Sequence, residues 1–434
     1  MNRPGCWVME PSLENKWIIF LDQVIIWSIF TFILLLPLPH LTTFKAFAKT
    51  LPVIAWIIKM ILRGKLEFKK DVLFWPIMGY CVACLFSLLH STDVVYSLNE
   101  IRSKLISPVL LYLVIVNNVQ RQQLRIIFYG FLISGPMISA YGIWEFIHGT
   151  DMLAGRALLT FHHPTTAGMY VSLLIALALG LTYVSKSWWG RGGIVICLLI
   201  SATALFLTQA RGAITAGLMA FAVFALLKDK RLLVIILLAL LTLLPFLPKK
   251  AVERAESIVD IDTYTEKSST MYNRYVIWQA SVLMLKDKWL WGVGYGWKNV
   301  RPLLTAYKDK YKLIVPDPII APAHNMFLQE WLETGIIGIV MFLWLVRNIF
   351  REIWFVFRSG LKNLAEGAYI SSLIAAISGL FVANMVDIFL RYKAGYIFWI
   401  ITGLFMLLVE GKPQTLAVYG DEKPLINAGQ GYIC

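Results

Sequence analysis

A histidine, a carboxylate and two arginines stand at places in this sequence where they could do chemistry together: His324, Asp387, Arg211 and Arg274. His324 lies in APAHNMFLQEWLETGIIG, residues 321–338, after a polar stretch punctuated by Pro316, Pro318 and Pro322. The prolines keep that approach extended, and Pro322 suits the first position of a helix, where a missing N–H costs nothing. This spacing predicts His324 in the helix's first turn. There the partial positive charge of a helix N-terminus disfavours imidazolium and favours the neutral ring, which can accept a proton. Helical spacing from His324 selects Leu328, Trp331, Gly335 and Gly338 on one face, and the glycines let a neighbouring helix come close. The chemistry such a histidine offers is that of a general base.

Arg211 sits in TQARGAIT, inside an apolar run from Gly193 to Leu227. As one helix the run would reach about 50 Å, beyond a hydrocarbon core of about 30 Å, so it must turn back. The only polar break is Gln209 to Gly212, which puts Arg211 at a tight turn at one membrane face. A guanidinium at membrane depth costs roughly 3 kcal/mol or more unless paired or hydrated, and its planar fork suits phosphate oxygens. Arg274 opens a surface helix in MYNRYVIW, Arg156 lies in the loop GRALLTFHHPTTAG, and Arg391 follows Asp387 in the last outer loop. The plainer alternative for each arginine is a helix-end residue reaching to lipid head groups. Asn325 is a helix cap or a partner for a sugar hydroxyl. Asp387 pairs with Arg391 four residues on, or orients the base. His162 and His163 are adjacent, so they would not both point into one site if helical, and they read as loop residues.

The elements that must position these residues follow from composition. Of 434 residues, 58% are hydrophobic and only 15% charged, far more apolar than a soluble chain needs, so this is an integral membrane protein. The net charge of +14 lies mostly in short loops between apolar runs, which argues against a nucleic-acid partner and for membrane topology. At about 20 apolar residues per crossing, twelve spans are expected: 17–38, 44–62, 72–90, 104–118, 124–147, 167–185, 193–208, 212–227, 232–247, 326–346, 367–387 and 394–410. The fold class is thus an all-α polytopic membrane protein with one large outer (periplasmic) loop before the tenth helix. Residues 1–247 carry nine helices, 248–323 the outer loop with a surface helix near 271–286, 324–410 the last three, and 411–434 a cytoplasmic tail. Lys and Arg of alternate loops put both termini inside. His148–Thr166, the Arg211 turn, the long loop and Arg391 then face out. The first apolar run is too long for a signal-peptide core and reads as an uncleaved span. WLWGVGYGW, residues 289–297, is a glycine-aromatic turn expected to pack over the membrane face near His324.

An outward-facing site has no ATP, and the chain carries neither a GxxxxGK[ST] loop nor a dinucleotide fingerprint. A bond-forming reaction there needs a donor that arrives activated. A lipid-linked sugar diphosphate fits, because its leaving group is a dianion held at the membrane surface. Such a reaction needs a base for the attacking hydroxyl and cations for the departing diphosphate. Asp260 and Asp262 form a DxD, but with Glu253 and Glu256 nearby they read as a solvated acidic loop rather than a metal site. Cys81 and Cys84 form a CxxC within an apolar run and read as packed thiols. Cys6 and Cys434 fall in tails placed in the cytoplasm, where disulfides are rare.

The order of TQARGAIT, MYNRYVIWQAS, WGVGYGW and AHNMFLQEWLETGIIG, within roughly residues 75–405, resembles the O-antigen ligase and polymerase superfamily. The resemblance implies about a dozen helices, a large outer loop before the histidine helix, and transfer of a glycan from an undecaprenyl-diphosphate donor. It assigns His324 as base, Arg211 and Arg274 to the donor's diphosphate and, less directly, Asp387 as the acid near the final outer loop. The reaction it implies is inverting, with no metal and no cofactor. The acceptor would be lipid A core or another glycan, and the location a bacterial inner membrane with the site on its outer face. Ligase is favoured over polymerase because the outer loop is single and large. A transporter or flippase of lipid-linked or anionic solutes, which would use the arginines without a base, is the alternative of another class; it would be expected to show repeats, and none is apparent.

Overall fold

The computed structural model describes residues 13–66, 68–149, 152–153, 155–234, 238, 270–313, 322–359 and 364–409. Nearly all of the expected ninth span, the DxD loop, Pro316, Pro318 and both tails lie outside the described residues. The rest is helical: α1 (Leu13–Leu35), α2 (Thr42–Leu62), α3 (Phe74–Phe86), α4 (Val94–Ile101), α5 (Ser107–Asn118), α6 (Leu124–His148), α7 (Pro164–Val184), α8 (Trp188–Leu207), α9 (Arg211–Lys228), α10 (Thr270–Lys288), α11 (Trp297–Lys310), α12 (Met326–Ser359), α13 (Leu364–Asn384) and α14 (Lys393–Val409). Among the described residues six helices are long and apolar enough to cross a membrane, by length and composition: those at 15–35, 121–148, 164–184, 188–207, 211–228 and 366–384.

Small residues let the helices that carry the site approach closely, as packing without a hydrophobic driving force requires. A Cβ on Gly379 of α13 would lie 2.6 Å from the Ala216 carbonyl oxygen of α9. A Cβ on Gly168 of α7 would lie 2.7 Å from Thr208 Oγ1, in the turn before α9. These contacts bring the first residue of α9, Arg211, beside the segment that follows α13. The would-be Cβ of Gly212 is 3.5 Å from Val386 Cγ2, next to Asp387.

Three elements depart from the expected layout. The helix at 104–118 begins ten residues earlier, because α4 and α5 run on through a π turn over Arg102–Ile106. The segment expected to form the outer loop holds a second helix, α11, besides α10, which stands where the surface helix is expected. The third departure is in α12, which breaks at Gly335 (φ 69°, ψ −167°). Loop 289–297 fills the break: Ile336 N–H donates to Leu290 C=O, while Val293 and Gly294 N–H donate to Leu332 and Glu333 C=O at 3.0 Å each. The glycine-aromatic stretch therefore closes the backbone hydrogen bonds that a broken helix would leave open.

Candidate active site

Asn325, and not Pro322, sets the start of α12. Its Oδ1 accepts the Leu328 N–H at 3.0 Å, so the helix begins at Met326. Asn325 Nδ2 also donates to Met385 C=O at 3.0 Å, which ties this cap to the segment after α13. His324 therefore lies just outside the helix, at φ 49°, and its ring is oriented by a side chain rather than by a helix end. His324 Nδ1 is 3.4 Å from Asp387 Oδ1, with the side chains 22% and 10% exposed. With Nδ1–H facing the carboxylate, Nε2 keeps its lone pair and is the basic nitrogen. Burial works to raise the Asp387 pKa, but His324, the Ile388 N–H and Arg274 outweigh it and hold the carboxyl below its usual range. It therefore remains a carboxylate at neutral pH.

The residues flanking His324 are fixed from two sides. Ala323 N–H donates to Gln329 Oε1 at 3.0 Å, and Ala323 C=O accepts Trp278 Nε1–H at 2.7 Å. Trp278 is one helical turn from Arg274 on α10. The Arg274 Nε is buried and has no hydrogen-bond partner among the described residues. Burial, with Asp387 opposing it and Arg211 adding a like charge, lowers the Arg274 pKa. Two guanidinium groups, Arg211 and Arg274, thus converge near the His324–Asp387 pair. Arg156 lies on the two-residue strand Arg156–Ala157, paired with Met152–Leu153, and its Nε–H donates to Thr208 C=O at 2.8 Å. It buttresses the turn that presents Arg211.

Arg391, expected among the substrate-binding residues, is committed elsewhere. It is 5% exposed and held by Glu330 and Glu333, the latter at 2.8 Å, with its guanidinium carbon 3.7 Å from the Tyr295 ring centroid. Tyr80 donates to the other Glu330 oxygen at 2.6 Å. This buried network joins α3, the glycine-aromatic loop, α12 and the turn after Asp387. The pairing of Asp387 with Arg391 is not formed, because each already has its own partner.

His163 joins the cluster although it reads from sequence as a loop residue. Its Nδ1 accepts the Thr165 N–H at 3.3 Å at the start of α7, which leaves Nε2–H as a donor. Burial and the charge of Arg156, against the opposing effect of Asp387, lower its pKa. His324 and Arg274 are close enough to add to the shift. Among the described residues no three His, Cys, Asp or Glu side chains converge as metal ligands do. Cys81 and Cys84 are buried free thiols.

A helical membrane protein with a histidine–aspartate pair and two guanidinium groups at one end of its bundle is the class this arrangement defines. The family model described as O-antigen ligase matches residues 195–343, the stretch that holds Arg211, Arg274 and His324. The match is to the superfamily that the motif order resembles. No curated protein and no solved structure matches the chain.

Proposed function

We propose that this protein is a membrane glycosyltransferase that moves a glycan from an undecaprenyl-diphosphate carrier to an acceptor hydroxyl, as an O-antigen ligase acting on lipid A core. His324 Nε2 takes the proton of the acceptor hydroxyl. The freed oxygen attacks the anomeric carbon as the bond from that carbon to the phosphate oxygen breaks, and the diphosphate leaves on its lipid. A single displacement of this kind inverts the anomeric centre and needs neither metal nor cofactor. Asp387 holds the histidine's tautomer, and Arg211 with Arg274 neutralises the charge that grows on the leaving group. Asn325, already bound to the segment before Asp387, lines the approach beside the base.

The observation that carries this reading is the Nε of Arg274, buried and without a hydrogen-bond partner among the described residues, beside a second arginine and the His324–Asp387 pair. Such a group suits a doubly charged phosphate ligand. With lysines and arginines of alternate loops inside, the site faces outward from an inner membrane, where an activated lipid-linked donor is available without ATP.

The test is an assay of the purified protein with undecaprenyl-diphosphate glycan and a lipid A core acceptor, in EDTA, beside His324→Ala. Lipid-linked product from wild type alone supports the ligase. Donor consumed only into longer chains makes it a polymerase of the same superfamily, and donor bound or moved without bond formation overturns the enzyme reading.

A further inference from the structure

Lys45 and Lys49 on α2 and Lys393 at the start of α14 gather at the bundle end that holds the candidate site. Lys45 Nζ donates to Leu38 C=O, and Lys393 Nζ donates to the neighbouring Pro37 C=O at 3.2 Å. Two ammonium groups are thereby held on consecutive carbonyls of the α1–α2 turn. Lys49, one helical turn from Lys45, donates to Tyr396 Oη at 3.1 Å, and Tyr396 passes its own proton to Ser103 C=O at 2.7 Å.

All three lysines are half-buried, and among the described residues none has a carboxylate in ion-pair range. Glu100, on the neighbouring α4, is taken by Lys104 at 2.5 Å. Like charges held this close in a partly dry setting repel, so the arrangement is stabilised by an anion. Each ammonium has three N–H groups, and the acceptors named above use one apiece, which leaves two per lysine for a ligand.

The surroundings indicate what carries the anion. Phe44 and Phe47, on either side of Lys45 in sequence, are 66% and 67% exposed. Exposed aromatics on an apolar helix end next to lysines are the pattern of a membrane interface, with rings toward acyl chains and cations toward head groups. Lys393 also lies 4.5 Å from the Phe161 ring centroid, two residues from His163, so the cluster borders the candidate active site without sharing its residues.

We infer that Lys45, Lys49 and Lys393 form a binding site for the phosphate of a membrane-lipid head group, separate from the Arg211–Arg274 pair. The compact ammonium groups suit a single phosphate rather than the bidentate grip of arginines.

Native mass spectrometry of the detergent-solubilised full chain tests this, with phosphatidic acid and phosphatidylcholine titrated against wild type, Lys45→Gln/Lys393→Gln and Lys45→Arg/Lys393→Arg. Wild type is expected to hold one phosphatidic acid at least about ten-fold more tightly than phosphatidylcholine. The Gln variant should lose that preference and the Arg variant should keep most of it. Equal phosphatidic acid binding by wild type and the Gln variant overturns the site.

Acetylation of Lys45 and Lys393 in the wild-type protein gives a readout that needs no variant to fold. Protection by phosphatidic acid and not by phosphatidylcholine supports the inference. Protection by inorganic phosphate with none from phosphatidic acid makes the ligand a free anion and overturns the lipid assignment. Both readouts are of lipid binding, so they stand or fall apart from glycan transfer, which is tested at His324.

Discussion

Trp278 Nε1–H donates to the carbonyl of Ala323 at 2.7 Å, so the helix that carries Arg274 also holds the residue that precedes His324. Arg274 and Trp278 are one turn apart on α10, and this hydrogen bond, with the packing of Ile277 and Ala280 against Ala323 and Leu332, sets their separation from the base. On the proposed mechanism, the cation for the leaving group and the base for the acceptor are spaced by one rigid element, which is what a displacement between two bound molecules requires.

Trp278→Phe removes that donor and keeps most of the ring. The buried Ala323 carbonyl then loses its partner, at a cost of about 1–3 kcal/mol. The expected result is a fall in kcat larger than the change in donor affinity, with a modest drop in Tm. Unchanged kcat in a folded variant would show that α10 does not position the base.

His324→Ala and His324→Gln should each reduce transfer by about 10²- to 10⁴-fold, the usual share of a general base, while donor binding stays near wild type. Asp387→Asn keeps the size of the side chain but not the charge that fixes the Nδ1–H tautomer, so transfer should fall by less than on loss of the imidazole. Initial rates under saturating donor, with donor binding measured separately, distinguish these. Wild-type transfer rates in His324→Gln would show that His324 is not the base.

Helices stand at the expected spans other than 232–247, and six described helices are long and apolar enough to cross a membrane; they were legible because apolar runs bounded by basic loops are a strong signal. The turn at Arg211 was legible because a run of that length cannot cross a membrane once. What the sequence concealed were competitions between neighbours. Pro322 is a good first helical residue, but the Asn325 side chain caps Leu328 and binds Met385, so the helix starts at Met326 and His324 turns toward Asp387. Arg391 looks like a phosphate ligand until Glu330 and Glu333 are folded against it. Those two acids, with Gln329, stand inside an expected membrane span, and ionisable groups at that depth are a signal of internal pairing that the spacing argument from His324 passed over. His163 was concealed because its neighbours in the site come from the strand at Arg156, from α10, from the residue before the α12 cap and from the turn after α13.

Gly335 should not tolerate a side chain. At φ 69°, a Cβ would lie 2.3 Å from Leu290 C=O and 2.6 Å from the Trp291 carbonyl carbon, in backbone that fills the break in α12. Gly335→Ala is expected to cost at least about 2 kcal/mol through strain and overpacking. Gly193→Ala is the control, since nothing lies within 4 Å of its would-be Cβ. Thermal unfolding in detergent checks the pair, and equal Tm values would show that the glycine-aromatic loop does not depend on the break.

The Arg391 network makes the last prediction. Arg391, Glu330 and Glu333 are 5%, 0% and 2% exposed, so the two acids have little water to turn to if the cation is removed. Arg391→Met leaves two buried carboxylates without a counter-charge, and breaking a buried ion pair in this way costs about 3–5 kcal/mol. Arg391→Lys should recover only part of it, because an ammonium placed to meet both acids, as Arg391 Nη2 does, lacks the planar group that lies over the Tyr295 ring. Adding Glu330→Gln to Arg391→Met should raise Tm relative to Arg391→Met alone, since it removes one of the orphaned charges. The three variants, followed by thermal unfolding and by donor binding, separate this role from a direct hold on substrate. If Arg391→Met keeps wild-type Tm and loses donor affinity, Arg391 belongs with Arg211 and Arg274 after all.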